Sequence, residues 1–468
     1  MKTLLNKIVS LWNIFRLAVG GGEANILEGN INRAIILLAI PMILEMVMES
    51  LFAVVDIYFV SSVGVNAIAA VGLTESLMTI TYSLGWGLAM GTTALVSRRI
   101  GEGDIRGAAI SAVQAIYLGI IISAPLMAIG IFYAGDLLAM MGAQKPVVEE
   151  GMVYTQLLFA SNLIIILLFL INGVFRGAGD AALAMRTLII SNGINIVLDP
   201  LLILGVGPFP ELGLKGAAIA TIIGRSTGVS YQFYHLFKSK GIIKIHREYW
   251  KWQIDVVKKL IKLSAEVTAQ FIIGSASWIF LMRIISTFGS NALAGYTVTL
   301  RVLIFTILPA WGFSNAAATM VGQNLGAKQP DRAEKAVRQT GLFNLIFMGA
   351  VMIIYLIFSR EIADFFTDDI EVISSAAECL FILSLGYLFY AYGMVLVQAF
   401  NGAGDTRTPT YMHFFIFWLI QIPLAYLLAI KFGFNSSGVY WAIVITESIF
   451  TIVGYFLFKR GRWKTIKI

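Results

Sequence analysis

The chain has 468 residues and a net charge of +7, and 58% of its residues are hydrophobic while 13% are charged. Soluble domains carry roughly 25% charged residues, so this apolar surface needs lipid as its solvent, which excludes a soluble, disordered, coiled-coil or nucleic-acid-binding protein. The single cysteine, Cys379, excludes an internal disulfide and a cysteine metal cluster.

The first segment of the chain is apolar with scattered basic residues. Lys2, Lys7 and Arg16 stand among apolar side chains in residues 1–16. This pattern predicts an amphipathic helix that lies on the membrane surface. We take residues 1–33 as an N-terminal segment that precedes the first membrane span.

Twelve apolar stretches follow, and each is long enough to cross a bilayer, which takes about 20 residues. The predicted spans are 34–60, 68–97, 107–132, 150–172, 182–205, 214–237, 260–287, 293–322, 332–358, 372–400, 408–430 and 436–459. The predicted domains are a first lobe of six spans at 34–237, a linker at 238–259, a second lobe at 260–459 and a tail at 460–468. The fold class is therefore an all-α integral membrane protein.

Basic residues separate the two sides of the membrane. Of the 34 Lys and Arg, 27 lie in the N-terminal segment, in alternate loops and in the tail, whereas the other loops hold only four. The positive-inside rule then places both termini in the cytoplasm of a multi-pass protein of the cell membrane. Eight basic residues fall between Lys238 and Lys262, which predicts a linker along anionic lipid headgroups.

An internal repeat relates the two halves of the chain, and every pair of matching positions is separated by the same offset. Trp86-Gly87 matches Trp311-Gly312, Gly101 matches Gly326, and the Gly-Ala-Gly-Asp run at 177–180 matches that at 402–405. Six spans in each half give both copies the same orientation, so the lobes should be related by an axis along the membrane normal. Two such lobes around a cavity are typical of a transporter. In the glycine-rich copies we expect tight helix–helix turns, with Asp180 and Asp405 as N-caps.

Acidic residues inside the first span point to a cation path. An acid at the centre of a membrane helix costs about 2.5–3.5 kcal/mol. Helical geometry of about 100° per residue puts Glu45, Glu49 and Asp56 on one stripe. This stripe must therefore face the lobe interior or the cavity.

The fifth span carries a second polar group. Asn195 and Asp199 are four residues apart and share a helix face, and Pro200 should kink the helix there. These oxygens suit Na⁺ and a proton equally, because two close carboxylates cannot both ionise cheaply. A structural hydrogen-bond network around the kink is the alternative.

Together these features resemble the multidrug and toxic compound extrusion (MATE) family, most closely its DinF-type and archaeal branch. The resemblance covers nearly the whole chain. It is carried by these segments: Val55-Asp56, Gly64-x-Asn66-Ala67, Arg176-Gly177-Ala178-Gly179-Asp180, Asn195-x-x-x-Asp199-Pro200 and Gly216-Ala217-Ala218-Ile219-Ala220-Thr221.

The resemblance implies two six-helix lobes that open alternately and export bulky, often cationic compounds in exchange for H⁺ or Na⁺. We expect no cofactor besides the coupling ion, and a functional monomer. The family's cation site falls on Asp56, Asn195, Asp199 and Thr221, which would also be the Na⁺ ligands, with Tyr154 and Asn172 around them. Glu45 and Glu49 depart from the family as possible accessory acids. A second-lobe cation site is in doubt, since apolar Ile272 and Ile273 stand where some members carry an acid.

Three other functions compete with drug export, of which a non-transporting receptor or scaffold would leave the buried acids unexplained. A related fold could move a lipid-linked or other amphipathic metabolite, and Arg225, Arg283 and Arg301 on one cavity wall would favour that function. A membrane-embedded enzyme would need a cluster of His, Cys or Asp, whereas the three histidines are scattered. We therefore expect no enzymatic activity.

Overall fold

The computed structural model describes residues 12–21, 26–238 and 241–468, and this part of the chain is helical without strands. Most of the surface helix predicted at residues 1–16 lies outside the described residues, although residues 12–20 are helical. The long helices are α1 Ile31–Ser61, α2 Val65–Gly101, α3 Ile105–Met140, α4 Lys145–Ala160, α5 Asn162–Ala178, α6 Ala181–Ile203, α7 Leu214–Lys238, α8 Ile254–Ser286, α9 Ser290–Gly326, α10 Pro330–Asp364, α11 Ile370–Leu385, α12 Tyr387–Ala403, α13 Arg407–Lys431 and α14 Asn435–Lys459.

Two of the twelve predicted spans are broken. The α4–α5 pair bends by 44° and the α11–α12 pair by 57°. The breaks at Ser161 and Gly386 are equivalent positions of the repeat, and both ends of α4 and α5 match those of α11 and α12 at the same offset. Nine single helices in the described residues are long and apolar enough to span a membrane, and the two pairs bring the number to eleven.

The twelfth span is α7, which is less apolar because it carries a buried polar stripe. Thr221, Arg225 and Gln232 on this stripe are each at most 8% exposed. Their partners lie inside the first lobe, as described below. The fold is thus two pseudo-symmetric lobes of six spans, α1–α7 and α8–α14.

The lobes meet through α1, α2, α8 and α9, and the repeat gives paired contacts there. A Cβ at Gly101 would lie 2.0 Å from the backbone oxygen of Gln323, and a Cβ at Gly326 would lie 2.2 Å from that of Arg98. Arg98 and Gln323 are themselves repeat equivalents. Only glycine allows the two backbones to approach so closely.

Within the described residues, the direct hydrogen bonds between the lobes lie at the end of the molecule that holds the C-terminal ends of α2 and α9. We call this the basic end, because its loops hold most of the basic residues. Arg98 Nη2 donates to Ala403 O at 3.1 Å. Gln323 Nε2 donates to Gly177 O at 2.9 Å. The lobes are therefore joined at the basic end.

An aromatic group lies between the lobes above these contacts. The rings of Trp86 and Trp311, which are repeat equivalents, are 5.7 Å apart. Phe271 lies 5.2 Å from Trp86 and 5.4 Å from Trp311. Aromatic pairs at such spacings are favourable beyond their buried area, so this group extends the seal between the lobes.

The predicted linker contains a short 3₁₀ turn at Arg247–Trp250 that docks on α3. Tyr117 donates its hydroxyl to Trp250 O at 2.8 Å. Gln114 donates to Lys251 O at 3.0 Å and accepts from the Gln253 amide at 3.1 Å. The linker is thus hydrogen-bonded to the first lobe.

The two glycine-rich repeats are helix ends, as predicted. Gly179 and Gly404 adopt φ of 92° and 82°, the left-handed conformation that ends a helix. Asp180 accepts from the Leu183 amide at 3.2 Å and caps α6 as predicted. The cap predicted for Asp405 is wrong, because its carboxylate accepts instead from the Thr408 hydroxyl at 2.8 Å.

Candidate functional site

The first lobe holds a polar column along its interior. Glu45 and Asp56 of α1 are 1% and 8% exposed, and the Glu49 side chain is 20% exposed. All three lie on one helix face, and α4, α5, α6 and α7 supply the polar side chains that meet them. The column has three levels, one around each acid.

At the Asp56 level, α6 and α7 form a hydrogen-bonded group. Asn195 Nδ2 donates to Asp199 Oδ1 and to Thr221 Oγ1, both at 3.2 Å. Asp199 is fully buried. The helical register explains the arrangement, because Asn195 and Asp199 are one turn apart and α7 packs alongside α6. α6 continues past Pro200 to Ile203.

Asp56 and Tyr154 complete this level. Asp56 lies within electrostatic reach of Asp199, and Tyr154 lies within reach of both. We call Asp56, Tyr154, Asn195, Asp199 and Thr221 the acidic pocket. The structure thus brings together five of the six residues chosen as the cation site and its surroundings.

Three oxygens of the acidic pocket are buried without a hydrogen-bond partner among the described residues. They are Asp56 Oδ1, Asn195 Oδ1 and Asp199 Oδ2. A buried acceptor without a donor is costly, and a buried unpaired carboxylate more so. A small hard cation would be ligated by all three oxygens. A proton would instead neutralise a carboxylate, whose O–H could then donate to a neighbouring oxygen. No group of three or more His, Cys, Asp or Glu side chains that could hold a metal ion occurs in the described ranges.

Asn172, the sixth residue, lies at another level. Its Nδ2 donates to Glu45 Oε1 at 3.1 Å, and its Oδ1 accepts from Gln232 at 2.8 Å. Arg176 Nη1 donates to the same Glu45 oxygen at 2.8 Å. Glu45 is therefore a buried ion-pair partner in this structure.

Glu49 has a separate partner between these two levels. Arg225 Nη2 donates to Glu49 Oε1 at 3.2 Å. Asn192 Nδ2 donates to Glu49 Oε2 at 3.1 Å. The guanidinium of Arg225 also lies over the ring of Phe52, 5.1 Å from its centroid. Arg225 therefore belongs to the interior of the first lobe, which removes it from the basic cavity wall that would favour a lipid-linked substrate.

Sequence reasoning missed Arg176 and Gln232 as members of this column. One signal was available for Gln232, which follows Thr221 and Arg225 at helical spacing and so shares their face. Arg176 was named only as part of a motif that carries the family resemblance, without a role in the site. Its partner Glu45 is 131 residues away along the chain.

The second lobe has a neutral counterpart. The repeat places Leu281 and Leu424 where the first lobe has Asp56 and Asp199.

Neutral side chains form the hydrogen bonds in this part of the second lobe. Ser277 donates to Gln421 Oε1 at 2.9 Å, and Gln421 Nε2 donates to Thr446, the equivalent of Thr221, at 2.9 Å. Glu266, nearer the basic end, pairs with Arg407 at 2.9 Å. The acidic pocket is therefore a feature of the first lobe.

Comparison with known proteins gives concordant matches. The MatE family model matches residues 41–201 and 267–427, two segments of equal length with one in each lobe. The chain is 27% identical over 442 residues to the probable multidrug resistance protein YoeA of Bacillus subtilis, covering 93% of this chain and 95% of YoeA. It is 26% identical over 447 residues to the probable multidrug resistance protein NorM of Thermotoga maritima, covering 93% of each.

A solved structure matches over the same extent. It is the outward-facing conformation of a multidrug resistance MATE family transporter of the MOP superfamily, with a TM-score of 0.88 and 27% identity. The match covers 94% of this chain and 97% of that one. The twelve helices in two lobes are therefore shared with solved relatives.

Proposed function

The chain belongs to the MatE family and is a multidrug efflux transporter, and we propose that it exchanges bulky, often cationic drugs for H⁺ or Na⁺ bound in the acidic pocket. One observation carries this proposal. Asp56 Oδ1, Asn195 Oδ1 and Asp199 Oδ2 are buried in one lobe, and no described residue donates a hydrogen bond to them. A transported cation would supply the missing positive charge, so its arrival and departure change the energy of that lobe.

The proposed cycle is alternating access. The basic end faces the cytoplasm of the cell membrane, as the distribution of basic residues indicates. Because the lobes are joined at that end, the conformation described here opens outward, and the likeness to an outward-facing relative supports this. Release of drug outside then accompanies capture of the cation, which moves inward when the lobes rock.

Helix α1 is suited to transmit this exchange. It carries Pro41 in its first half and Asp56 in its second half. Near Ile43 it touches Gly312 of the second lobe, because a Cβ built on Gly312 would lie 2.7 Å from Ile43 Cα. A proline within a helix removes a backbone hydrogen bond and permits bending. Cation binding at Asp56 would bend α1 and shift the lobe contact. We propose that a monomer in lipid performs this cycle.

The proposal is tested by reconstitution in liposomes with ethidium as the transported probe. We expect an inward Na⁺ gradient or an inward H⁺ gradient to drive ethidium out against its own gradient, and an ionophore for that cation to abolish the movement. A ligand shifts an equilibrium only by its differential affinity for the two states. The driving cation should therefore lower the affinity for ethidium. Equal ethidium movement with and without both gradients would reject cation coupling.

A further inference from the structure

Arg225 lies one helical turn from Thr221 of the acidic pocket and is held by a single carboxylate. Arg225 is 3% exposed, and its Nη2 pairs with Glu49 Oε1 at 3.2 Å. Its Nε and Nη1 are buried without a hydrogen-bond partner among the described residues. A buried guanidinium has five donors to satisfy, so this one is incompletely paired.

Asp56 is a second acid within electrostatic reach of Arg225. Glu49, Tyr82 and Asp56 act electrostatically on Arg225, and Glu75 of α2 acts on Asp56 together with Arg225. Glu49 and Asp56 share one face of α1, about 10.5 Å apart along the axis at 1.5 Å per residue. Asp56 Oδ1 also lacks a hydrogen-bond partner in the part of the chain that the structure describes. The free donors of Arg225 and the free acceptor of Asp56 are thus complementary.

Phe52 lies between the two acids on α1 and beneath the guanidinium, 5.1 Å from it. Phe169 of α5 flanks the same guanidinium at 5.7 Å. Aromatic faces attract a cation without fixing its direction. They allow the guanidinium to shift along α1 while it stays over a favourable surface.

We propose that Arg225 is a tethered cation that competes with the transported cation for Asp56, and that Glu49 is the positioning residue that holds Arg225 away from the acidic pocket. With H⁺ or Na⁺ bound at Asp56, Arg225 pairs with Glu49. When the transported cation leaves, Arg225 shifts toward Asp56 and compensates its charge. The carboxylate then left without an ion pair is Glu49, which keeps its hydrogen bond from Asn192 at 3.1 Å and is 20% exposed, so it costs less than an unpaired Asp56.

The inference rests on the proposed cation coupling and adds a prediction about affinity. Glu49→Gln removes the carboxylate that competes with Asp56 for Arg225, so Arg225 should pair with Asp56. The transported cation should then bind at least about tenfold more weakly, because the interaction energy of two charges a few ångströms apart in a protein exceeds the energy of a tenfold change in affinity. Arg225→Met should tighten cation binding. Adding Glu49→Gln to Arg225→Met should then have little further effect.

The measurement is the half-saturating concentration of the driving cation, Na⁺ or H⁺, for ethidium transport in proteoliposomes, with ethidium KM and maximal rate determined separately. The matched control is Glu266→Gln, which breaks the Glu266–Arg407 pair at 2.9 Å in the second lobe, where the acid is 20% exposed like Glu49. It should leave the cation affinity unchanged. Thermal unfolding in detergent reports whether each variant folds.

Two results with Glu49→Gln overturn the inference. The variant leaves the cation affinity unchanged, or it weakens the affinity equally with and without Arg225. If Glu49→Gln fails to fold, the test rests on Arg225→Met. If this variant binds the cation no more tightly than the native chain does, Arg225 does not compete with the cation for Asp56. If the native chain shows no cation dependence at all, the proposed function fails first, which separates the two failures.

Discussion

Replacing Asp199 with Asn lowers cation-driven drug export by on the order of 100-fold, because one charge a few ångströms from the cation contributes about 3 kcal/mol to its binding. Asn keeps the shape of the side chain and can still accept the hydrogen bond that Asn195 donates at 3.2 Å. The charge that attracts the cation is lost, and the remaining carboxylate, Asp56, holds it alone. Ethidium export from proteoliposomes under the driving gradient measures the loss.

The matched control for this prediction is Asp136→Asn. Asp136 is exposed near the end of α3, on the side of the bundle away from the basic end. The same chemical change there should leave export within twofold of the native rate, since surface substitutions usually have small effects. Asp199→Asn should still bind ethidium, because only its release is coupled to the cation. Normal gradient-driven export by Asp199→Asn would refute the role of the acidic pocket.

Replacing Gly101 with Ala prevents the lobes from closing at the basic end. Its Cβ would lie 2.0 Å from the Gln323 backbone oxygen, which belongs to helix α9 and cannot rotate away as a side chain could. Interiors at native packing density tolerate little added volume. The lobes must separate, so the conformation described here becomes poorly populated and export falls about tenfold or more, since overpacking costs about 1–3 kcal/mol.

This change in conformation is measured by labelling an introduced cysteine. Ser97→Cys places a thiol at the contact between the lobes. Ser97 packs directly against Gly322 of the second lobe, since a Cβ built on Gly322 would lie 1.8 Å from Ser97 Oγ. Native Cys379 is fully buried and should not compete for a maleimide. Labelling from the basic end should rise in Gly101→Ala. Gly72→Ala, in the same helix with open space around it, serves as the control and should change neither labelling nor export.

Much of the candidate site was predictable because it depends on local spacing. Asn195 and Asp199 share a face through the helical period, and the acids of α1 form a stripe by the same rule. The cost of an acid in lipid then requires an interior location. Thr221 and Tyr154 were found only through the resemblance, since neither residue type is unusual in a membrane helix.

The partners of Glu45 and Glu49 could not be predicted in this way. Arg176 and Arg225 lie 131 and 176 residues from their acids along the chain. Which basic side chain reaches which acid depends on how α1 packs against α5 and α7. The same packing sends Asn172 to Glu45 and away from the acidic pocket to which the resemblance assigned it.

The sequence alone determined the number of spans, the twofold repeat and the stripes of acids, because hydropathy, constant spacing and helical periodicity are properties of the linear chain. The tertiary structure decided the breaks at Ser161 and Gly386, the pairing of each buried charge and the close glycine contacts between Gly101 and Gln323 and between Gly326 and Arg98. These depend on the distances between helices remote in sequence, and a buried charge is stabilised only by the group that packing brings within a few ångströms of it.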